Sequence, residues 1–171
     1  MAANARTDAA PEEFVIERTF DAPRALMWKM WTDPAHLKKW WGPKGFAVDH
    51  CKVDLRPGGI FHYGLRSPDG QEIWGKFVYR EIVAPERMVY VVSFSDADAG
   101  ITVHPLNPLW PRQILSTTAF VEKGGRTTVT VRWSPFEATR EEVETFEAGR
   151  DSMRQGFTGT FDQLEAYLQS M

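Results

Sequence analysis

The C-terminal stretch of this chain constrains its fold more than any other segment. Thr139-Arg140-Glu141-Glu142 has the form of a capping box, in which a Thr and a Glu three residues later satisfy the free amides at a helix start. Met153, Phe157, Phe161, Leu164 and Leu168 then recur at spacings of three and four, which draws one apolar stripe along a helix. The pattern predicts a single final helix of about thirty residues, roughly 45 Å long. Gly149, Gly156 and Gly159 fall inside it. Each costs about 1 kcal/mol relative to Ala in a helix interior, so their presence points to close packing, a bend or space left for a ligand. A helix with one apolar face has to bury it, and the preceding segments offer a sheet to bury it on.

Phe14 to Phe20 reads as a first strand. Asp21-Ala22-Pro23 then opens a helix, with Pro tolerated in the first turn and Asp21 placed to cap it. This helix carries Met27, Trp28 and Trp31 and stops near Asp33-Pro34, which opens a second short helix through Leu37, Trp40 and Trp41. From Phe46 the period changes to that of strands. Pro57-Gly58-Gly59, Ser67-Pro68-Asp69-Gly70 and Lys123-Gly124-Gly125 mark turns between Ile60 to Arg66, Ile73 to Val83, Met88 to Phe94, Ile114 to Val121 and Thr127 to Trp133. Val129, Val131 and Trp133 share one face of the last strand, so that face meets a core. The reading is α+β: a curved antiparallel sheet of about seven strands wrapped around the long C-terminal helix, with two short helices after the first strand. Residues 1–13, Ala-rich and acidic, are expected to form a disordered tail, and residues 14–171 one domain.

Several function classes are excluded. A formal charge of −3 gives no basic face for nucleic acid. No apolar run approaches the roughly 20 residues needed for membrane insertion. The single Cys51 cannot form an intrachain disulfide, which fits a reducing, cytoplasmic location. His36, His50, His62 and His104 form no metal-binding pair, so no metal is expected. Without a G-x-S-x-G elbow or a glycine-rich phosphate loop, neither catalytic residues nor a cofactor are assigned.

One family resemblance spans nearly everything from Phe14 to Leu168. It is carried by Phe20-Asp21-Ala22-Pro23 with Trp28, Thr32-Asp33-Pro34, Leu37 with Trp40-Trp41-Gly42-Pro43, and Pro57-Gly58-Gly59. Further along come Ser67-Pro68-Asp69-Gly70, Glu81-Ile82, Pro85-Glu86-Arg87 and the Gly156 to Leu164 segment. In order and spacing the chain resembles the AHSA1-like family, related to the activator of Hsp90 ATPase, within the START-like or Bet v 1-like (SRPBCC) helix-grip superfamily. The resemblance implies a cavity between the final helix and the sheet, holding a small hydrophobic molecule. Polyketide cyclases and aromatases of the wider superfamily imply an enzymatic alternative. The Hsp90 name is largely a label of descent for single-domain bacterial members. This sequence shows no separate amino-terminal chaperone-binding domain, so a co-chaperone role and Hsp90 contact are the weaker expectation. Where many relatives have Gly-Trp followed by Leu, this chain has Gly156-Phe157 and then Phe161, which keeps an aromatic wall but alters its shape.

Aromatic content of 13%, with seven Trp, supplies the candidate wall. Trp31 and Trp41, with Trp28 and Trp40, either plug the sheet or line the cavity. Phe61, Tyr63 and Leu65 share an inward strand face, which makes Tyr63 a hydrogen-bonding candidate, and His62 opposite them is expected in solvent. Trp74 and Phe94 lie on strands whose phase the sequence leaves open. From the final helix come Met153, Phe157 and Phe161. The apolar, proline-rich stretch from Ile101 to Pro111, with Trp110 near its end, reads as a lid over the cavity or as a homodimer contact.

Overall fold

The computed structural model describes residues 13–171; the expected tail lies outside this range except for Glu13. Eight strands form one antiparallel sheet: β1 (Phe14–Phe20), β2 (Ala47–Val53), β3 (Ile60–Arg66), β4 (Glu72–Val83), β5 (Arg87–Ser95), β6 (Ile101–Thr102), β7 (Ile114–Lys123) and β8 (Arg126–Pro135). Their spatial order is β1-β8-β7-β5-β4-β3-β2, with the two-residue β6 pairing the end of β5. Two short helices, α1 (Arg24–Thr32) and α2 (Pro34–Trp40), follow β1, and α3 (Arg140–Ala148) and α4 (Arg150–Gln169) end the chain. This is the helix-grip arrangement expected from the sequence, with β6 as an added short strand inside the proline-rich stretch.

Hairpin connections and the alternation of side chains explain the sheet. Phe61 pairs with Phe77, and Phe77 with Val92, so these side chains share the concave face. The phase of β4 was hidden in the sequence because large rings occupy both its faces, Trp74 on one and Phe77 and Tyr79 on the other. Beyond them the register shifts between Tyr79 and Glu81, a bulge that moves later residues to the other face. Two glycines let neighbouring rings lie flat on the sheet. A Cβ on Gly75 would come within 2.5 Å of the Tyr63 hydroxyl on the concave side, and one on Gly64 within 2.8 Å of the Trp74 ring on the convex side.

Three expectations are corrected. The final helix is two helices, because the chain leaves helical geometry at Gly149 (φ −97°, ψ 12°). Thr139 and Glu142 do form the capping box, but on α3 alone. Asp21 does not cap α1; its start is satisfied from across the fold, where Arg24 N–H donates to Glu122 Oε1 of β7 at 2.7 Å. His62 is not in solvent. It is 9% exposed, stacked on Trp74 at 5.2 Å, and donates from Nε2 to the Asp96 carbonyl at 3.1 Å. The Asp96–Gly100 turn folds over the convex face there, and Lys76 Nζ anchors it by donating to Ala99 O at 2.7 Å.

The core fills the end of the grip near α1 and α2. Trp31 is 1% exposed and packs edge-on to Trp40 at 5.1 Å and to Phe120 at 6.0 Å. Trp40 Nε1 donates to Met30 O at 3.0 Å, which ties the two short helices together. Trp31→Ala is therefore expected to lower unfolding stability by about 3–5 kcal/mol, the usual range for removing a buried large ring. Trp110→Ala, on a half-buried surface ring, should cost less than half as much, and urea unfolding of the two variants checks the contrast.

Candidate functional site

At the other end of the grip the sheet and α4 stand apart, leaving a half-open cavity of about 530 Å³. That size falls within the roughly 300–1,000 Å³ typical of small-molecule sites. The chain leaves α2 at Trp41, whose ring closes one end with Gly42 and Pro43. Tyr63 and Leu65 from β3, Ile73 and Phe77 from β4, and Tyr90, Val92 and Phe94 from β5 form the concave wall. Trp133 from β8 and Met153, Gly156 and Phe157 from α4 face them. Phe157 stands edge-on to Trp133 at 4.9 Å and stacks on Phe14 at 6.1 Å, so it is braced from behind and leaves the space open.

The segment between β6 and β7 forms a flap at the mouth, contributing His104, Pro105, Leu106, Trp110 and Pro111. Its fold is set locally. Leu106 N–H donates to His104 Nδ1 at 2.9 Å, and Trp110 N–H donates to Asn107 O at 3.0 Å. His104 stands edge-on to Phe94 at 4.8 Å, and Trp110 packs on Phe146 of α3 at 5.8 Å. A Cβ on Gly149 would reach within 2.9 Å of the Trp110 ring, so the glycine at the helix break is what admits the flap. Leu106, 88% exposed, points partly outward from the same segment.

The site's polar groups are neutral. Burial pushes the Tyr63 hydroxyl up, with Tyr90 adding and the neighbouring Trp41 side chain opposing. Tyr90 is pushed up to about 12 by burial, although its hydroxyl pairs with Thr118 Oγ1 at 2.8 Å. What exposure Tyr63 keeps is to the cavity rather than to bulk water.

Six of the residues singled out from sequence meet at the cavity: Trp41, Tyr63, Phe94, Trp110, Met153 and Phe157. Trp74 also borders it, yet its ring lies over Gly64 on the convex face, against His50 and His62. Trp31, Phe61 and Phe161 do not border it. They are 1%, 0% and 1% exposed and support the wall from behind, Phe61 under Trp41 at 5.7 Å and Phe161 edge-on to Phe20 at 5.7 Å. Sequence reasoning missed Phe77 and Tyr90 as wall residues, whereas His104 lay in the stretch read as a lid and Gly156 among the glycines read as possible room for a ligand. Trp133 was within reach, since its alternation with Val129 and Val131 already turned it inward.

A model of the family described as activator of Hsp90 ATPase homolog 1-like protein matches residues 21–169. The chain belongs to this family. Among solved structures it is similar to a Mycobacterium smegmatis protein, with 25% identity, 91% of this chain and 90% of that one covered, and a TM-score of 0.74. An Arthrobacter aurescens protein gives 25% identity, coverage of 96% and 92%, and a TM-score of 0.75. An AHSA1 protein from Silicibacter pomeroyi, at 17% identity, coverage of 92% and 97% and a TM-score of 0.69, shares the fold. No curated protein matches the chain. Among the described residues no helix is long and apolar enough to cross a membrane.

Burial holds His104 below its ordinary value of 6.5, and the Leu106 bond requires an unprotonated Nδ1. The unfolded chain therefore binds this proton more readily than the folded one, so the contribution is complete above about 6.5 and is lost as pH falls below it. His50 is shifted the same way, by burial first and then by His62. The unfolding temperature of the wild type should fall as pH is lowered from about 7 to about 5. His104→Asn, whose side-chain oxygen can accept the same N–H, should show a shallower fall over that range.

Proposed function

We propose that this AHSA1 family member binds a small, largely apolar molecule between α4 and the sheet, with the flap around Trp110 controlling entry. The observation that carries the reading is the cavity itself: about 530 Å³ that Phe157 and Trp41 frame but do not fill. Apolar walls give affinity through burial, at about 25 cal/mol per Å² of apolar surface removed from water. Selectivity between close analogues is modest in such a site unless a polar group adds a specific bond. In this reading Trp41, Tyr63, Phe94, Trp110, Met153 and Phe157 contact the ligand, while Trp31, Phe61 and Phe161 hold the wall in place. The one cysteine, Cys51, is free and half-buried, which suits a protein working in the cytoplasm.

A second reading, homodimer formation through the flap, draws on the exposure of Leu106 together with Leu109 and Ile101. It is compatible with ligand binding, since Trp110 and His104 face the cavity while Leu109 faces away.

Native mass spectrometry of freshly purified protein tests both. A retained small molecule, released on denaturation, is the expected result, and the same spectrum reports the subunit count. Gly156 gives a sharper test, because a Cβ there meets nothing within 4 Å and the residue borders the cavity. Gly156→Leu should raise stability by up to about 1 kcal/mol through helix propensity. It should also narrow the cavity and weaken ligand retention. Retention unchanged in a folded Gly156→Leu variant would sink the proposal.

A further inference from the structure

We propose that this cavity selects uncharged ligands, and that its preferred class is a neutral molecule carrying one hydrogen-bond acceptor, which the Tyr63 hydroxyl engages. The inference rests on the binding reading above and narrows it to a chemical class.

The first support is the absence of charge at the wall. Among the described residues, no Lys, Arg, Asp or Glu borders the cavity. The charged groups of the neighbouring strands are turned away. Lys76 and the Asp96 turn sit on the convex face, bonded to each other's segment. Arg80 lies over Phe136, and Arg18 pairs with Asp162 at 2.8 Å. An ionised ligand would enter without a counter-charge, and an isolated charge in an apolar site is far more costly than a hydroxyl or carbonyl. A weak acid could enter only by taking up a proton.

The second support is how most polar groups at the wall are already engaged. The exception besides Tyr63 is the buried Trp133 Nε1–H, which has no partner among the described residues and can only donate. Tyr90 pairs with Thr118, Thr160 Oγ1 donates to Gly156 O at 3.1 Å, and His104 Nδ1 accepts from Leu106. Tyr63 differs. Its hydroxyl borders the cavity, lies over Gly75 and makes none of these bonds, so it has a hydrogen to give. Gly75 lets the ring lie flat against the sheet, which fixes where that hydroxyl sits. A carbonyl, ether or ring nitrogen suits such a donor; an ammonium group does not.

Three fluorescent probes test this. N-phenylnaphthylamine is neutral, anilinonaphthalenesulfonate is the same skeleton with a permanent sulfonate, and propionyl-dimethylaminonaphthalene is neutral with a carbonyl. The phenylnaphthylamine should bind at least about tenfold more tightly than its sulfonate. Ile73→Lys, which adds a cation at the wall, should shift that ratio toward the sulfonate by about tenfold. Tyr63→Phe should weaken the carbonyl probe by about fivefold, the value of one neutral hydrogen bond, and blue-shift its emission. It should leave the phenylnaphthylamine unchanged. A sulfonate that competes for the same site with equal or greater affinity overturns the charge selection. A carbonyl probe indifferent to Tyr63→Phe overturns the role of that hydroxyl. If none of the three binds by fluorescence or calorimetry, the binding reading fails and this inference with it.

Discussion

Trp41 is the contact on which the arrangement depends. Its ring stands edge-on to Trp31, Trp40, Phe61, Tyr63 and Phe77, at centroid distances between 5.4 and 5.9 Å. It thus joins the two short helices to the concave face of β3 and β4 in one aromatic cluster. Edge-to-face pairs are each worth about 0.5–1.5 kcal/mol beyond the area they bury. The cluster fills one end of the grip densely enough that the other end can stay open. A curved sheet has a fixed concave area, and what Trp31, Trp40 and Trp41 occupy near α2 is space that α4 need not cover.

The cavity then follows from how the last helix is placed. α4 is pinned near its two ends, and between them Phe161 packs on Phe20. Near its start, the break at Gly149 lets Trp110 seat against Phe146. Near its end, Tyr167 bonds His36 of α2 at 2.8 Å, and Gln163 donates to Gly42 O at 2.9 Å. Between these anchors Phe157 leans on Phe14 and Trp133, and Gly156 presents no side chain at all. Of the three glycines in the C-terminal stretch, Gly149 serves close packing, whereas Gly156 leaves room. Gly159 has nothing within 4 Å of the place its Cβ would take and does not border the cavity, so neither cause applies to it.

The convex face shows a different use of the same residue types. His50, His62 and Trp74 form a ring cluster there, with His50 and His62 4.9 Å apart. The turn from Asp96 to Gly100 covers it. Aromatic residues on a strand therefore say little about a pocket until the face is known. Trp74 and Tyr63 are cross-strand diagonal neighbours on β4 and β3, each lying over the other strand's glycine, yet one ring supports the sheet from outside and the other faces the cavity.

The element order, the capping box at Thr139 and the Asp33 cap on α2 were legible because each is written in residues close in sequence, where turn chemistry and periodicity act locally. The inward face of β3 and β8 was legible for the same reason. The buried position of His62, the capping of α1 by Glu122 and the break between α3 and α4 were not. Each is settled by a partner far along the chain: Asp96, β7 and Trp110 respectively. The sequence by itself determined a helix-grip fold rich in large rings. Only the tertiary structure decided which rings fill space and which enclose it, because a strand's two faces differ by a single residue of register and a bulge exchanges them.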